Sequence, residues 1–183
     1  GSKWFGTEVG LVHHFGDHFT LYNSSNSPLP KNFIRSVQVD GSGNVWMVYW
    51  DPKYIYTGVA RFDGTTWTIW PHNTALGFGD AVQLDKLAIA GNGHVWVGTN
   101  STAGLGRWDG SKWSRVVPGT GSTAAYNPYL GRDGRLWVLA GNSVRVLDGS
   151  TWITKPVPVS KARAQTAPSV SRTWSASKFL RSC

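Results

Sequence analysis

Residues 36–48, SVQVDGSGNVWMV, decide the fold, because this chain of 183 residues repeats their pattern. The pattern returns as KLAIAGNGHVWVGT at 86–99, as PYLGRDGRLWVL at 128–139 and, shortened at the front, as KWFGT at 3–7. Each full copy is followed by a second pattern: FDGTTW at 62–67, WDGSKW at 108–113 and LDGSTW at 147–152. Repetition at a fixed period outranks any local reading of secondary structure.

The tryptophans of the repeat measure its period. Trp4, Trp46, Trp96 and Trp137 recur at intervals of 42, 50 and 41 residues. Each unit contains short β-rich runs, and its Asp-Gly pairs tolerate the positive φ that tight hairpin turns need. A period of about 40–45 residues with four strands per unit is typical of a propeller blade. The sequence therefore predicts an all-β chain, a β-propeller of four-stranded antiparallel blades.

Three complete blades and one partial blade are predicted in this chain. Residues 45–50, VWMVYW, are apolar on both strand faces, as expected for a strand enclosed between neighbouring blades. A β-sandwich and a lipocalin-like barrel are the alternatives, but neither explains why a four-strand unit returns with the same two turns. The predicted blades are 3–22, which is partial, 33–71, 84–117 and 126–154.

Both ends of the chain differ from the repeats. Gly1-Ser2 resembles a cloning remnant, and no apolar run approaches the ~20 residues of a membrane span. All ten acidic residues precede residue 155, so the net charge of +8 is concentrated in a basic tail, 155–183. That tail is interpreted as a closing strand or a linker, and nucleic-acid binding through it ranks last. Cys183 is the single cysteine, so neither an internal disulfide nor a cysteine zinc site can form.

The repeats resemble the two-component-regulator propeller repeat of bacterial ligand-sensing proteins. The third unit carries the best match, Gly93-x-x-Trp96-x-Gly98-Thr99 followed by GLGRWDGSKW at 104–113. The second unit keeps the aspartate, glycine and tryptophan at 40, 43 and 46 but has Tyr49-Trp50 in place of Gly-Thr. The resemblance implies sensing of a small molecule or oligosaccharide in an extracytoplasmic compartment.

Loop lengths predict where a ligand would bind. In a four-stranded blade, the loops between blades and between second and third strands share one face, here called the long-loop face. The variable segments 23–31, 50–57, 71–85, 100–103 and 118–125 gather there, and binding residues concentrate on such loops. Aromatic rings flanked by charges suit sugar or ring stacking. The candidate ligand-binding residues are Trp50, Asp51, Lys53, Tyr54, Tyr56, His72, Asn73 and Asn100.

A catalytic or metal site is not predicted, and no cofactor is expected. His13 and His14 point to opposite faces of a strand, so they cannot converge on one ion. Most acids serve hairpin turns, and no Gly-x-Ser-x-Gly elbow occurs. The predicted function is therefore a non-catalytic propeller module that binds a small molecule, an oligosaccharide or a protein partner on its long-loop face. The alternatives are a lyase or hydrolase resembling streptogramin lyases, built on His72 with an acid, or a sugar-binding propeller lectin.

Ring closure remains open from sequence alone. An arc of fewer than four complete blades leaves two apolar blade faces exposed to water. Three kinds of closure are compatible with the sequence: pairing of two chains as half-rings, closure of a four-bladed ring by the chain's own tail, and membership of a larger propeller. Closure with a second chain, as a homodimer, is favoured.

Overall fold

Four antiparallel sheets follow one another along the chain. They are seen in a computed structural model that describes residues 1–51, 56–72, 74–78, 82–99, 103–119, 125–140 and 143–156. The first sheet has three strands, and each of the other three has four strands in simple consecutive order. This is the predicted propeller of three complete blades and one partial blade, and the fold prediction is confirmed.

Each sheet is built from strands that follow one another in the chain. The first sheet contains β1 (Lys3–Gly6), β2 (Leu11–Phe15) and β3 (His18–Tyr22). The second contains β4 (Phe33–Val39), β5 (Val45–Asp51), β6 (Tyr56–Phe62) and β7 (Trp67–Pro71). The third contains β8 (Leu84–Ile89), β9 (Val95–Thr99), β10 (Leu105–Trp108) and β11 (Trp113–Val116). The fourth contains β12 (Ala125–Leu130), β13 (Leu136–Ala140), β14 (Ser143–Asp148) and β15 (Thr151–Pro156).

The turns between first and second strands are alike in all three complete blades. Gly43, Gly93 and Gly134 have φ of 86°, 81° and 75°, a region that favours glycine over residues with a Cβ. Each of these glycines donates its backbone N–H to the carbonyl oxygen three residues earlier, at 2.9–3.0 Å. The repeated glycine therefore marks a repeated backbone turn.

Successive blades pack face to face. The strands β1 and β4, β5 and β8, and β9 and β12 are in contact, and β4, β8 and β12 adjoin one another as inner strands. Three apolar clusters lie in the three spaces between blades. All of Val45, Trp46, Met47, Val48 and Tyr49 are buried, as predicted for a strand enclosed on both faces.

The arc ends in two apolar faces. On the first blade, Phe5 and Phe19 are 48% and 70% exposed and share a face with Val12. On the last blade, Tyr129 and Leu139 are exposed on the face that carries Trp137.

Several predictions fall outside the described residues. Of the predicted basic tail, Lys155 and Pro156 belong to β15, and 157–183 lie beyond the described part of the chain. In the described part, no helix has the length and apolarity that crossing a membrane requires.

Candidate functional site

An aromatic and charged cluster lies where β4 begins and β5 ends, on the long-loop face. Phe33 and Trp50 are direct partners across the two strands, and their rings meet edge to face with centroids 5.2 Å apart. The Arg35 guanidinium carbon lies 4.9 Å from the Trp50 ring centroid, within the range of a cation–π contact. Trp50 is therefore a half-buried ring held in place by two neighbours.

Two ion pairs flank this ring. Lys31 Nζ lies 2.8 Å from Asp51 Oδ2, and Arg35 donates to Asp85 Oδ1 at 2.9 Å. The second pair joins β4 of the second blade to β8 of the third. Partly exposed pairs of this kind hold each other weakly, so their donors and acceptors can exchange with those of a ligand. The two pairs leave the cluster without net charge.

The cluster adjoins the inner strands of the three complete blades. A cavity of about 420 Å³ lies between β4, β8 and β12, and Arg35, Lys86 and Tyr129 are among the residues that line it. Lys86 and Tyr129 are exposed. Because Arg35 lines the cavity and also contacts Trp50, the cavity and the Trp50 cluster adjoin each other through this side chain.

The predicted site residues have different positions. Trp50 and Asp51 lie together in the cluster, as just described. Tyr56 begins β6, opposite Asp51. Four of the predicted site residues lie outside the described part of the chain: Lys53, Tyr54, Asn73 and Asn100.

His72 is in a different setting from Trp50. It is only 3% exposed, and its Nδ1 lies 2.9 Å from the Thr57 carbonyl oxygen. Since a carbonyl oxygen only accepts, Nδ1 carries the proton and donates it. Thr57 in turn donates its hydroxyl to the Tyr49 carbonyl oxygen at 2.9 Å, and Phe78 donates its N–H to the His72 carbonyl oxygen at 3.3 Å. These hydrogen bonds of His72 connect the segment after β7 to the sheet of the second blade.

Sequence reasoning did not select Phe33, Arg35 or Asp85 as site residues. The missing signal was the hairpin register: once β4 and β5 pair, the residue opposite Trp50 must be Phe33. Arg35 joins them through the irregularity between Ile34 and Ser36, where the register shifts by one residue.

The opposite face carries carboxylates that are fixed by turns. Partial burial acts to raise the pKa of Asp40, but hydrogen bonds from Asn44 and Trp46 outweigh it, and the pKa lies below its ordinary value. Backbone N–H groups of Lys112 and Ser111 hold the pKa of Asp109 well below its usual range. Carboxylates that accept several N–H bonds favour the charged form. These acids therefore serve structure at physiological pH.

Among the residues that the structure describes, no three histidine, cysteine, aspartate or glutamate side chains converge as a metal site would require.

Comparisons with known proteins address the fold. No protein-family model matches the sequence, and no curated protein matches it. The extracellular domain of BT3049 from B. thetaiotaomicron, a protein assigned to the hybrid two-component systems, superposes with a TM-score of 0.63 at 19% identity over 84% of this chain. A streptogramin B lyase gives a TM-score of 0.64 at 17% identity over 89% of the chain. YCF48, solved bound to a D1 peptide, gives 0.60 at 14% identity over 88%.

The similarity covers only part of each solved structure. This chain spans 21% of the BT3049 domain, 53% of the streptogramin B lyase and 51% of YCF48. At these identities, the superpositions establish a common architecture. The chain is thus an arc of β-propeller blades that shares its fold with the extracellular domains of two-component system proteins and with streptogramin lyases.

Proposed function

We propose that this chain is a non-catalytic propeller module that binds a ligand on its long-loop face. The observation that carries the proposal is the Trp50 ring, framed by Phe33 and Arg35 beside the cavity between the inner strands. Concave apolar surfaces with a few placed polar groups are the usual ligand sites of folded domains. The extracellular origin of the BT3049 domain supports an extracytoplasmic location for this module.

Among ligands, a neutral oligosaccharide fits the cluster better than an ion. The Lys31–Asp51 and Arg35–Asp85 pairs supply both donors and acceptors but no net charge. Sugar hydroxyl groups both donate and accept, and sugar rings stack on aromatic faces. An ion would gain attraction from one member of each pair and repulsion from the other.

The lyase alternative has less support. It assigns chemistry to His72, whose ring is buried and whose Nδ1 donates to Thr57. A catalytic histidine must come within hydrogen-bond reach of the substrate proton that it transfers.

A glycan array followed by calorimetry tests the binding proposal. Neutral oligosaccharides are expected to bind, and Trp50→Leu is expected to weaken the best one at least about tenfold, because the stacking surface is removed. Phe15→Leu, which shortens an exposed ring on the first blade away from its end face, is the matched control and should bind normally. Array signals at background, or equal affinities for the wild type and Trp50→Leu, would overturn the proposal.

We further propose that a second copy of the chain covers the two end faces. At each interface within the chain, the tryptophan-bearing face of one blade packs on the back of the next. The last blade presents such a face with Trp137 and Leu139, and the first blade presents an apolar back with Phe5 and Phe19. In two copies joined head to tail, the last blade of each copy would pack on the first blade of the other, and all four end faces would be buried.

A further inference from the structure

The three interfaces between blades use equivalent positions, because the strand registers repeat. The tryptophan of the repeat pattern pairs across strands with His13, Arg61 and Arg107 in the first, second and third blades, respectively. Around it lie one residue from the last strand of the same blade and two from the adjacent hairpin of the next blade. The four positions are Trp4, Tyr22, Phe62 and Trp67 at the first interface, Trp46, Trp70, Trp108 and Trp113 at the second, and Trp96, Val116, Leu147 and Trp152 at the third.

Aromatic rings occupy all four positions at the first two interfaces. At the second, Trp46 and Trp70 stack at 5.4 Å with planes 4° apart, and Trp108 lies 5.0 Å from Trp70. At the first, Tyr22 and Phe62 are 5.3 Å apart. These rings fill the space between the blades on the side of the short turns.

The third interface lacks two of the four rings. Val116 replaces Trp70, and Leu147 replaces Trp108, so only Trp96 and Trp152 remain, meeting edge to face at 6.3 Å. A cavity of about 490 Å³ lies there, bounded by the turns of the short-turn face. This volume falls within the usual range for small-ligand sites. The cavity is therefore what remains when two tryptophans are exchanged for aliphatic side chains.

The cavity is also cationic. Arg107 lines it, with its guanidinium carbon 5.8 Å from the Trp96 ring centroid. Its equivalent in the second blade, Arg61, lies 3.7 Å from Asp63, whereas Arg107 has no carboxylate within 4.0 Å in the described ranges. The Nε atoms of both arginines are buried and, within those same ranges, have no hydrogen-bond partner, so the missing carboxylate is what distinguishes Arg107.

The other charged groups at the cavity do not offset this cation. Arg135 also lines the cavity, but it already forms an ion pair with Asp133, with Nε and Oδ2 2.7 Å apart. No aspartate or glutamate is among the described lining residues. A half-buried cation without a counter-charge carries a desolvation cost, and an anion brought by a ligand would relieve that cost.

We propose that this cavity binds a small planar aromatic carboxylate. Its ring occupies the space between Trp96 and Trp152 that tryptophans fill at the second interface, and its carboxylate accepts hydrogen bonds from Arg107. The site is on the face opposite the Trp50 cluster and is independent of it. The fold does not require a cavity at this position, because the first two interfaces fill the equivalent space with the protein's own rings.

Calorimetry with indole-3-acetate tests this site, with indole-3-acetamide as the neutral probe of the same shape. Wild-type protein is expected to bind one indole-3-acetate saturably and at least about tenfold more tightly than the amide, since bonds to charged groups are the stronger ones. Arg107→Gln should abolish that preference. Arg61→Gln, the same change at the filled second interface, is the matched control and should preserve it.

Filling the cavity provides a second, independent test. Val116→Trp restores the residue type of the second interface and should remove binding of both probes, with circular dichroism to check folding. If Val116→Trp does not fold, Leu147→Phe fills the same space more conservatively. The proposal is overturned if neither probe binds saturably at millimolar concentration, or if the folded filling variant or Arg107→Gln binds indole-3-acetate as the wild type does.

Discussion

Trp46 donates its indole N–H to Asp40 Oδ2 at 2.9 Å, so the aspartate and tryptophan of the repeat pattern are direct partners. The same carboxylate accepts the backbone N–H groups of Ser42 and Asn44 and the Asn44 side-chain amide. One acid thereby fixes the turn and orients the ring that packs against the next blade. The pattern is therefore a hydrogen-bonded unit.

Asp40→Ala should destabilise the protein by about 2 kcal/mol, since several hydrogen bonds are lost at a partly buried position. Urea unfolding measures the change. Asp17→Ala, at an exposed turn of the first blade, is the control and should unfold close to the wild type. Equal losses of stability in both variants would contradict the stabilising role assigned to the hydrogen bonds of Asp40.

The Asp109 carboxylate should make stability depend on pH. Its pKa is lowered below the ordinary 3.8, chiefly by the Lys112 and Ser111 backbone N–H groups. The native state therefore binds protons less readily than the unfolded chain, and the stabilisation is complete above about pH 4 and is lost as pH falls below it. Asp109→Asn should be less stable than the wild type at pH 7.

The gap between Asp109→Asn and the wild type should narrow when unfolding is followed below pH 3.8. Asp17→Asn serves as the charge-matched control. A gap that stays constant from pH 7 to pH 3 would contradict the assigned role of the charge.

Gly58→Ala should destabilise the second blade. A Cβ there would meet the Tyr49 hydroxyl and lie 2.5 Å from the Trp70 carbonyl oxygen, so strands must shift to admit it. Overpacking of this kind costs about 1–3 kcal/mol. Thermal unfolding should show a lower Tm for Gly58→Ala, whereas Gly41→Ala, with nothing within 4 Å of its Cβ, should match the wild type.

Light scattering should give twice the mass of one chain if a second copy covers the end faces. Phe19→Glu places a charge on the apolar back of the first blade and should shift the mass to that of one chain. Thr65→Glu, at an exposed hairpin turn, is the control and should leave the mass unchanged. A wild-type mass of one chain rules out the second copy as the cover.

Sequence reasoning reached the blades because their information is local. The turn glycines, the Asp-Gly hairpins and the alternating apolar runs each act within a few residues, and all point to the same four-strand unit. The same local signals predict the third and fourth strands of the complete blades. Residues 52–55, where two of the predicted site residues fall, stay outside what the structure describes.

The candidate site was only partly predictable, because it depends on contacts between strands. Trp50 and Asp51 stood out by type and position in a long loop. Arg35 could not be identified from the sequence, because its contact with Trp50 depends on a register shift in β4 and its ion-pair partner, Asp85, lies on another blade. The burial of His72 likewise results from how the connection after β7 folds back on Thr57.

The sequence by itself determined the class of fold, the number of blades and the chemistry of each turn, because these follow from periodicity and from short-range backbone preferences. Only the tertiary structure decided what lies between blades. Residues such as Val116 and Leu147 are ordinary strand residues in the chain, and they leave a cavity only when two sheets are held face to face at a fixed separation. Packing between distant segments fixes that separation, and no single repeat contains it.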